Sequence, residues 1–140
     1  MTGYVEDPSV TIYRHRTSGA YRVQAMGLND QQMLGEYGIP VIIAPERVRQ
    51  EIAQAVGRCL RAFGMERTPV KYSKSDYDAF RAKHDAVFLS QLESGDLELV
   101  PSRHVAGGYR GMNRDAIVLP SPYDDDQLCE AIEKAFDVAC

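Results

Sequence analysis

The sequence has little of what a membrane-spanning or secreted protein needs. No apolar run among its 140 residues approaches the roughly 20 residues that cross a bilayer. Residues 1–8 have neither the basic start nor the apolar stretch of a secretory signal. The three cysteines form an odd set without a close pair, which argues against a disulfide framework. We therefore expect a cytoplasmic protein that makes no use of a membrane.

Positive charge is also scarce. The formal net charge is −4, and residues 71–140 hold eight Lys and Arg against thirteen Asp and Glu. A protein that grips nucleic acid through its phosphates needs the opposite balance. The composition therefore predicts that nucleic acid is not a partner of this chain.

Recognisable catalytic and metal-binding motifs are missing as well. His15, His84 and His104 are far apart, and no cysteine or carboxylate stands at a zinc-type spacing from them. The glycine-rich stretch at 102–111 lacks the features of a phosphate loop or a dinucleotide fingerprint, and no nucleophile motif is present. We expect no metal, no cofactor and no enzymatic activity.

One catalytic alternative stays open. His104 lies in the glycine-rich stretch with Arg103, Tyr109 and Arg110. Small ribonucleases build catalytic sites from histidine, arginine and tyrosine, in which histidine can serve as the general acid or base. A small RNase-like enzyme that uses His104 is therefore the alternative to a binding protein.

A strand–proline–helix unit occurs twice in the chain. An apolar run at 40–45 ends in a proline and is followed, through Phe63, by apolar residues at steps of three and four. A second such run at 115–120 lies about 75 positions later and leads into the same spacing through Ala139. This repetition predicts two related units, each ending in a helix with one apolar stripe.

The remaining patterns complete the predicted elements. We expect a hairpin of strands at 10–14 and 21–25, followed by a loop or one short helical turn at 27–38. A short helix is predicted at 76–83, with a capping box from Ser75 to Asp78. Strands at 86–89 and 97–100 come next, with Pro101 ending the second, and a loop follows at 102–111.

These elements predict an α+β fold in a single domain, 1–140. The expected sheet has roughly six mostly antiparallel strands with the two long helices on one face, because an apolar helix stripe must be buried against another element. Two related strand–strand–strand–helix halves would lie at about 10–63 and 86–139. The predicted core includes Ile52, Val56, Leu60, Leu128, Ile132 and Phe136.

The last helix carries an acidic stripe opposite its apolar face. At 100° per residue, its members fall on one line: they are Asp126, Glu130, Glu133 and Asp137. Most such rows are solvated faces, but like charges at i, i+4 repel and acids near a helix C-terminus oppose its dipole. The stripe is our first prediction for a partner surface. The stretch with Arg103, His104, Tyr109 and Arg110 is the second. The first helix differs, since it presents Arg49, Arg58 and Arg61 outward.

The order of elements resembles the CdiI immunity proteins of contact-dependent growth inhibition, formerly a domain of unknown function. The resemblance covers nearly the whole chain: the opening strand pair, the strand ending at Pro45 with its helix, the connection at 73–75, and the closing strand and helix. It implies a cytoplasmic protein that binds and neutralises the toxic C-terminal domain of a cognate CdiA exoprotein, a nuclease in many such systems. It supplies no contact position, since these vary between systems.

A third alternative is a module that assembles with a host protein and has no toxin.

Overall fold

An antiparallel sheet of eight strands forms the centre of the structure. The structure is a computed structural model that describes residues 7–65 and 68–140. The strands are β1 (Ser9–His15), β2 (Tyr21–Leu28), β3 (Leu34–Glu36), β4 (Val41–Ile43), β5 (His84–Gln91), β6 (Leu97–Val105), β7 (Gly108–Gly111) and β8 (Ile117–Leu119). The helices are α1 (Val48–Arg61), α2 (Lys74–Lys83) and α3 (Asp125–Val138). Short 3-10 turns at Pro45–Arg47 and Asn113–Asp115 complete the elements.

The strands run in the order β3-β2-β1-β5-β6-β7 across the sheet. Strand β4 continues the row of β3 along β2, and β8 continues the row of β7 along β6. The central contact is the pairing of β1 with β5, in which Ile12 lies opposite Val87. The chain therefore forms one sheet from two consecutive sets of four strands.

The two sets repeat the same pairing pattern. In the first set Tyr21 of β2 pairs with Ile43 of β4, and in the second Leu97 of β6 pairs with Leu119 of β8. Further along the same strands, β2 pairs with β3 and β6 pairs with β7. Each set then leads into a long helix, so the halves contain four strands each and not the predicted three.

Helices α1 and α3 pack on the same face of the sheet and confirm the predicted α+β class. Their apolar stripes meet alternate residues of the strands, because successive side chains of a strand point to opposite faces. The predicted core residues are all buried: Ile52, Val56, Leu60, Leu128, Ile132 and Phe136. Cys59 and Cys129 lie in the same core as small buried side chains.

Arg14 of β1 holds the end of α3 against the sheet. Its guanidinium lies 4.7 Å from the centre of the Phe136 ring and donates a hydrogen bond of 3.3 Å to the Phe136 carbonyl. The last carbonyls of a helix have no partner within the helix, and a cation there also complements the helix dipole. This contact ties the last helix to the central strand.

Helix α2 covers part of the other face of the sheet. Ser73 is its N-cap, and the Ser73 hydroxyl accepts a hydrogen bond from the amide of Asp76. The predicted capping box at Ser75 and Asp78 is therefore wrong by two residues, although the helix itself is present. Phe80 of α2 packs edge-on against Tyr13 of β1, which fixes the helix to the sheet.

Two predicted loops contain strands. The segment 27–38 includes β3, and the glycine-rich stretch forms a hairpin of β6 and β7 with Gly107 at a positive φ of 78° in its turn. Pairing partners rather than local residue preferences create both short strands. None of the helices in the described part of the chain combines the length and hydropathy that a membrane span requires.

Pro101 does not end the second of the predicted strands, since β6 continues through it to Val105. The Pro101 carbonyl accepts a hydrogen bond from the amide of Met112, so the backbone of Pro101 faces the gap between β7 and β8. In an antiparallel strand the N–H and C=O of one residue point to the same side. The missing N–H therefore lies where no strand requires it.

We expect Phe136→Ala to lower the free energy of unfolding by about 3–5 kcal/mol, because a large aromatic side chain leaves a cavity in a packed core. Val138→Ala, on the same helix but 43% exposed, should change it by no more than about 0.5 kcal/mol. Urea denaturation of both variants measures the difference. A loss below about 1 kcal/mol for Phe136→Ala would contradict the packing described for α3.

Candidate functional site

The acidic stripe lies on the outer side of α3. Asp124 caps the helix, since its carboxylate accepts from the Gln127 amide while the Gln127 side chain accepts from the Asp124 amide. Three members of the stripe are exposed and the fourth, Glu133, is half-buried. The stripe is thus a surface feature on a rigid helix with a well-formed start.

Arg49 of α1 crosses to this stripe. Its guanidinium lies 3.8 Å from an Asp126 oxygen and 3.5 Å from a Glu133 oxygen. The Cys129 thiol also donates a hydrogen bond to Glu133. Burial is the main cause that raises the pKa of this thiol to about 11, and the Glu133 carboxylate is the second. The sequence predicted only that Arg49 faces outward on the first helix. Among the described residues, only Glu130 and Asp137 of the stripe lack an ion pair.

The second predicted surface is divided between the two sides of the β6–β7 hairpin. Arg103 pairs with Arg110, and His104 pairs with Tyr109, so the two arginines share one face and the histidine and tyrosine share the other. Both arginines are exposed and line a cavity of about 520 Å³ with Arg114. The structure therefore does not assemble these four residues into one site.

His104 and Tyr109 are held by neighbouring elements. The Tyr109 hydroxyl donates to the His84 carbonyl at 2.9 Å, and the His104 ring lies 4.9 Å from the Tyr109 ring. The Nε2 atom of His104 is buried and lies 3.4 Å from an Asp85 oxygen. Asp85 in turn forms an ion pair with Arg16. These contacts position the histidine within the fold.

The structure reveals a third candidate on the face of the sheet that α2 partly covers. A cleft of about 310 Å³ opens there between α2, β3 and the central strands. Its lining comprises aromatic and apolar residues, one threonine and one carboxylate: Thr11, Tyr13, Met26, Leu34, Gly35, Glu36, Val70, Tyr72, Tyr77, Phe88 and Tyr109. We refer to it as the Glu36 cleft. A smaller cavity of about 220 Å³ adjoins it and shares Thr11, Met26, Leu34 and Phe88.

Glu36 sits at the end of β3, opposite Met26 of β2. The hydroxyl of Tyr13 donates a short hydrogen bond to its carboxylate, and the hydroxyl of Tyr72 donates a longer one of 3.5 Å. Burial raises the pKa of the Glu36 carboxyl above its usual range, and Tyr13, Arg22 and Tyr72 offset part of this rise. The cleft therefore holds a carboxylate whose charge is poorly solvated.

An aromatic cluster supports this carboxylate. The Phe80 ring stacks on His84 at 3.9 Å and lies 5.8 Å from Tyr72. The guanidinium of Arg22 lies 5.0 Å above the Phe80 ring and donates to the Tyr72 hydroxyl at 3.0 Å. Burial raises the pKa of Tyr13, and the neighbouring Glu36 raises it further, so this hydroxyl stays protonated and remains a donor. The orientation of the cleft side chains is thus fixed by packing.

The sequence did not reveal this cleft. Four of the eight tyrosines in the chain line it, but they come from β1, β7, α2 and the segment before α2. Glu36 lies in a segment that the glycines and polar residues predicted to be a loop or one short helical turn. Only the pairing of β3 with β2 brings Glu36 to the tyrosines, and no local spacing encodes that contact.

The described residues include no group of three His, Cys, Asp or Glu side chains placed to hold a metal ion. The chemistry that the Glu36 cleft can supply is recognition: aromatic faces, a carboxylate and hydroxyl donors around an open space. A cationic group is the ligand that such a lining suits.

Comparison with known proteins finds the same fold in solved structures, including two that match over nearly the whole chain. A protein of unknown function from Neisseria meningitidis superposes with a TM-score of 0.74 at 15% sequence identity, with 100% of each chain covered. A chain of the CdiA-CT/CdiI toxin and immunity complex from Yersinia pseudotuberculosis superposes with a TM-score of 0.69 at 10% identity, covering 97% of this chain and 99% of that chain. No family model and no curated protein matches. At these identities the likeness establishes a shared fold.

The raised pKa of Glu36 predicts a pH dependence of stability. The folded protein binds the Glu36 proton more tightly than the unfolded chain, in which glutamate has a pKa of about 4.3. The contribution of Glu36 to the free energy of unfolding should therefore fall as the pH rises from this value through the raised pKa.

The measurement is the free energy of unfolding of the native protein minus that of Glu36→Gln, followed from pH 4 to pH 7.5. Taking the difference cancels the pH dependence contributed by groups that both proteins share. His84, whose pKa is lowered by burial, is one of them. Glu46→Gln removes an exposed glutamate and supplies the baseline. A difference that rises with pH would show that the environment of Glu36 is not as described.

Proposed function

We propose that this chain is a CdiI-type immunity protein that binds and neutralises the toxic C-terminal domain of a cognate CdiA exoprotein. The observation that carries the proposal is the fold shared, over nearly the whole of both chains, with a chain of a toxin and immunity complex. The order of the sequence elements agrees with it, since it resembles the same class. The proposal includes a cytoplasmic location, where a delivered toxin would act.

The surface of the molecule fits a role in binding. Its charge is uneven, with Glu130 and Asp137 exposed on α3 and Arg103 and Arg110 exposed on the β6–β7 hairpin. Many delivered toxins are basic nucleases, and an acidic inhibitor steers towards such a partner. Both halves of the chain bury a similar apolar stripe while their outer faces differ, as expected when the surface determines partner choice.

The RNase-like alternative receives no support from the geometry. A general acid or base must reach the proton that it transfers. The Nε2 atom of His104 instead points into the fold, 3.4 Å from Asp85. Arg103 and Arg110, the cations nearest in sequence, lie on the opposite face of the hairpin. We therefore favour the binding function.

Co-expression tests the proposal. Cells that produce the C-terminal toxin domain encoded beside this protein's gene should survive when they also produce this chain, and the two proteins should co-purify as a stable complex. A toxin domain from an unrelated system is the control and should not be neutralised. The proposal would be wrong if no rescue occurred, or if the purified protein cleaved RNA and lost this activity in His104→Ala.

The acidic stripe remains our predicted steering surface for a basic toxin. Glu130→Lys combined with Asp137→Lys should slow association by about tenfold and flatten its salt dependence, because exposed charges act mainly on the on-rate. Stopped-flow association at low and physiological salt measures both effects. Asp30→Lys with Glu93→Lys, a matched reversal of two exposed acids elsewhere, is the control. Equal association rates for both double variants would identify the stripe as an ordinary solvated face.

A further inference from the structure

The Glu36 cleft contains a negative charge that the described part of the chain does not neutralise. Among the described residues, no cationic nitrogen lies within 4 Å of the Glu36 carboxylate. Arg22 is the cation that contributes to the Glu36 pKa, but its guanidinium lies over Phe80 and donates to Tyr72. The two tyrosine hydroxyls are neutral donors. A partly buried carboxylate without a cationic partner lowers the stability of the fold unless another cation pairs with it.

The fold itself does not require this carboxylate. In the first half Met26 pairs with Glu36 at the end of β3, and in the second half Ser102 pairs with Gly111 at the end of β7. A side chain at Gly111 would meet Val100 at 3.2 Å and Phe88 at 3.6 Å, so that position is closed. The second half thus forms this pairing with a glycine, whereas the first half places a carboxylate beside an open cleft.

The lining of the cleft matches a planar cation. Tyrosine and phenylalanine rings offer negative faces to a guanidinium, and a carboxylate can accept two of its N–H groups in parallel. The surrounding cluster already holds one guanidinium, that of Arg22, 5.0 Å above Phe80. The volume of about 310 Å³ lies at the lower end of ligand pockets, roughly 300–1,000 Å³, which suits one inserted side chain.

We propose that the Glu36 cleft binds an arginine side chain presented by the toxin domain, with Glu36 pairing with the guanidinium and the tyrosine rings enclosing it. This inference depends on the proposed function for the identity of the partner. A basic partner supplies the complementary charge. An arginine buried in a pocket with its charge paired is a common energetic centre of protein interfaces. The acidic stripe lies on the helix side of the sheet, opposite this cleft, so the two are separate candidate surfaces with separate tests.

The first experiment tests the cleft without the toxin. N-acetyl-arginine methylamide is titrated into the protein and followed by the NMR signals of Glu36, Tyr13 and Tyr72, with N-acetyl-citrulline methylamide as the neutral analogue of the same shape. We expect the arginine compound to bind at least about tenfold more tightly, the difference that a hydrogen bond to a charged group makes. Equal binding of the two compounds, or no change at these signals, would overturn the proposal.

Two variants locate the interaction. Glu36→Gln keeps the size of the side chain and removes its charge, so the preference for arginine over citrulline should disappear. Glu46→Gln removes one exposed charge outside both the cleft and the acidic stripe and should leave that preference unchanged. Circular dichroism and thermal unfolding verify that both variants are folded. If Glu36→Gln is unstable, the titration of the native protein still decides the question.

The second experiment uses the toxin domain. Glu36→Gln should weaken the complex by about thirtyfold or more through faster dissociation, as expected when one partner of a buried ion pair is lost. Glu46→Gln, which removes an exposed charge outside the cleft, should leave dissociation unchanged. If the arginine compound binds but Glu36→Gln leaves dissociation unchanged, the cleft binds a cation that the toxin does not supply and the proposal fails. If the native protein does not bind the toxin, the proposed function fails as well, whereas the compound titration still reports on the cleft.

Discussion

The antiparallel pairing of β1 with β5 is the contact on which the other structural features depend. It joins seven residue pairs, from Ser9 with Ser90 to His15 with His84, and it unites two consecutive sets of strands in one sheet. Because the two sets meet there, α1 and α3 lie side by side on one face and share a core. On the other face, the same pairing places Tyr13 beside the elements that form the Glu36 cleft.

This central pairing also explains how the two faces come to differ in composition. Val10, Ile12, Val87 and Leu89 point to the helices and are almost fully buried. Their neighbours in sequence point the other way, where α2 covers only part of the sheet. The uncovered part combines apolar and aromatic side chains with a carboxylate. One face therefore provides most of the packing energy, and the other is available for recognition.

The sequence predicted the elements whose signals are local. The β1–β2 hairpin, the two long helices and their buried residues follow from turn residues and apolar spacing within a few positions. The strands β3 and β7 were missed because their residues are poor strand formers that pair only when β2 and β6 are already in place. The predicted end of the strand at Pro101 was wrong for a related reason. The effect of a proline on a strand depends on whether a neighbouring strand needs its N–H.

The candidate sites divide in the same way. The acidic stripe could be identified because helical geometry fixes the relation of Asp126, Glu130, Glu133 and Asp137 within one element. The approach of Arg49 to this stripe could not be identified from the sequence, because it depends on how α1 packs against α3. Glu36 is the extreme case, as its hydroxyl donors Tyr13 and Tyr72 come from segments far away in sequence. Sites formed between elements require the tertiary structure before they can be recognised.

The end-to-end arrangement of short strands along β2 and β6 has a consequence for the behaviour of the protein in a crowded cell. An open sheet exposes unpaired backbone groups along its outer strands, and a long, regular edge is a template for aggregation. Here one edge consists of β3 and β4, of three residues each, and the other of β7 and β8, of four and three. Each edge is interrupted between its two strands, and prolines adjoin β4 and β8. A second copy of the chain therefore finds no continuous row of donors and acceptors with which to extend the sheet. This organisation allows a protein with exposed side chains such as Ile42 and Val118 on its edges to resist self-association through its backbone.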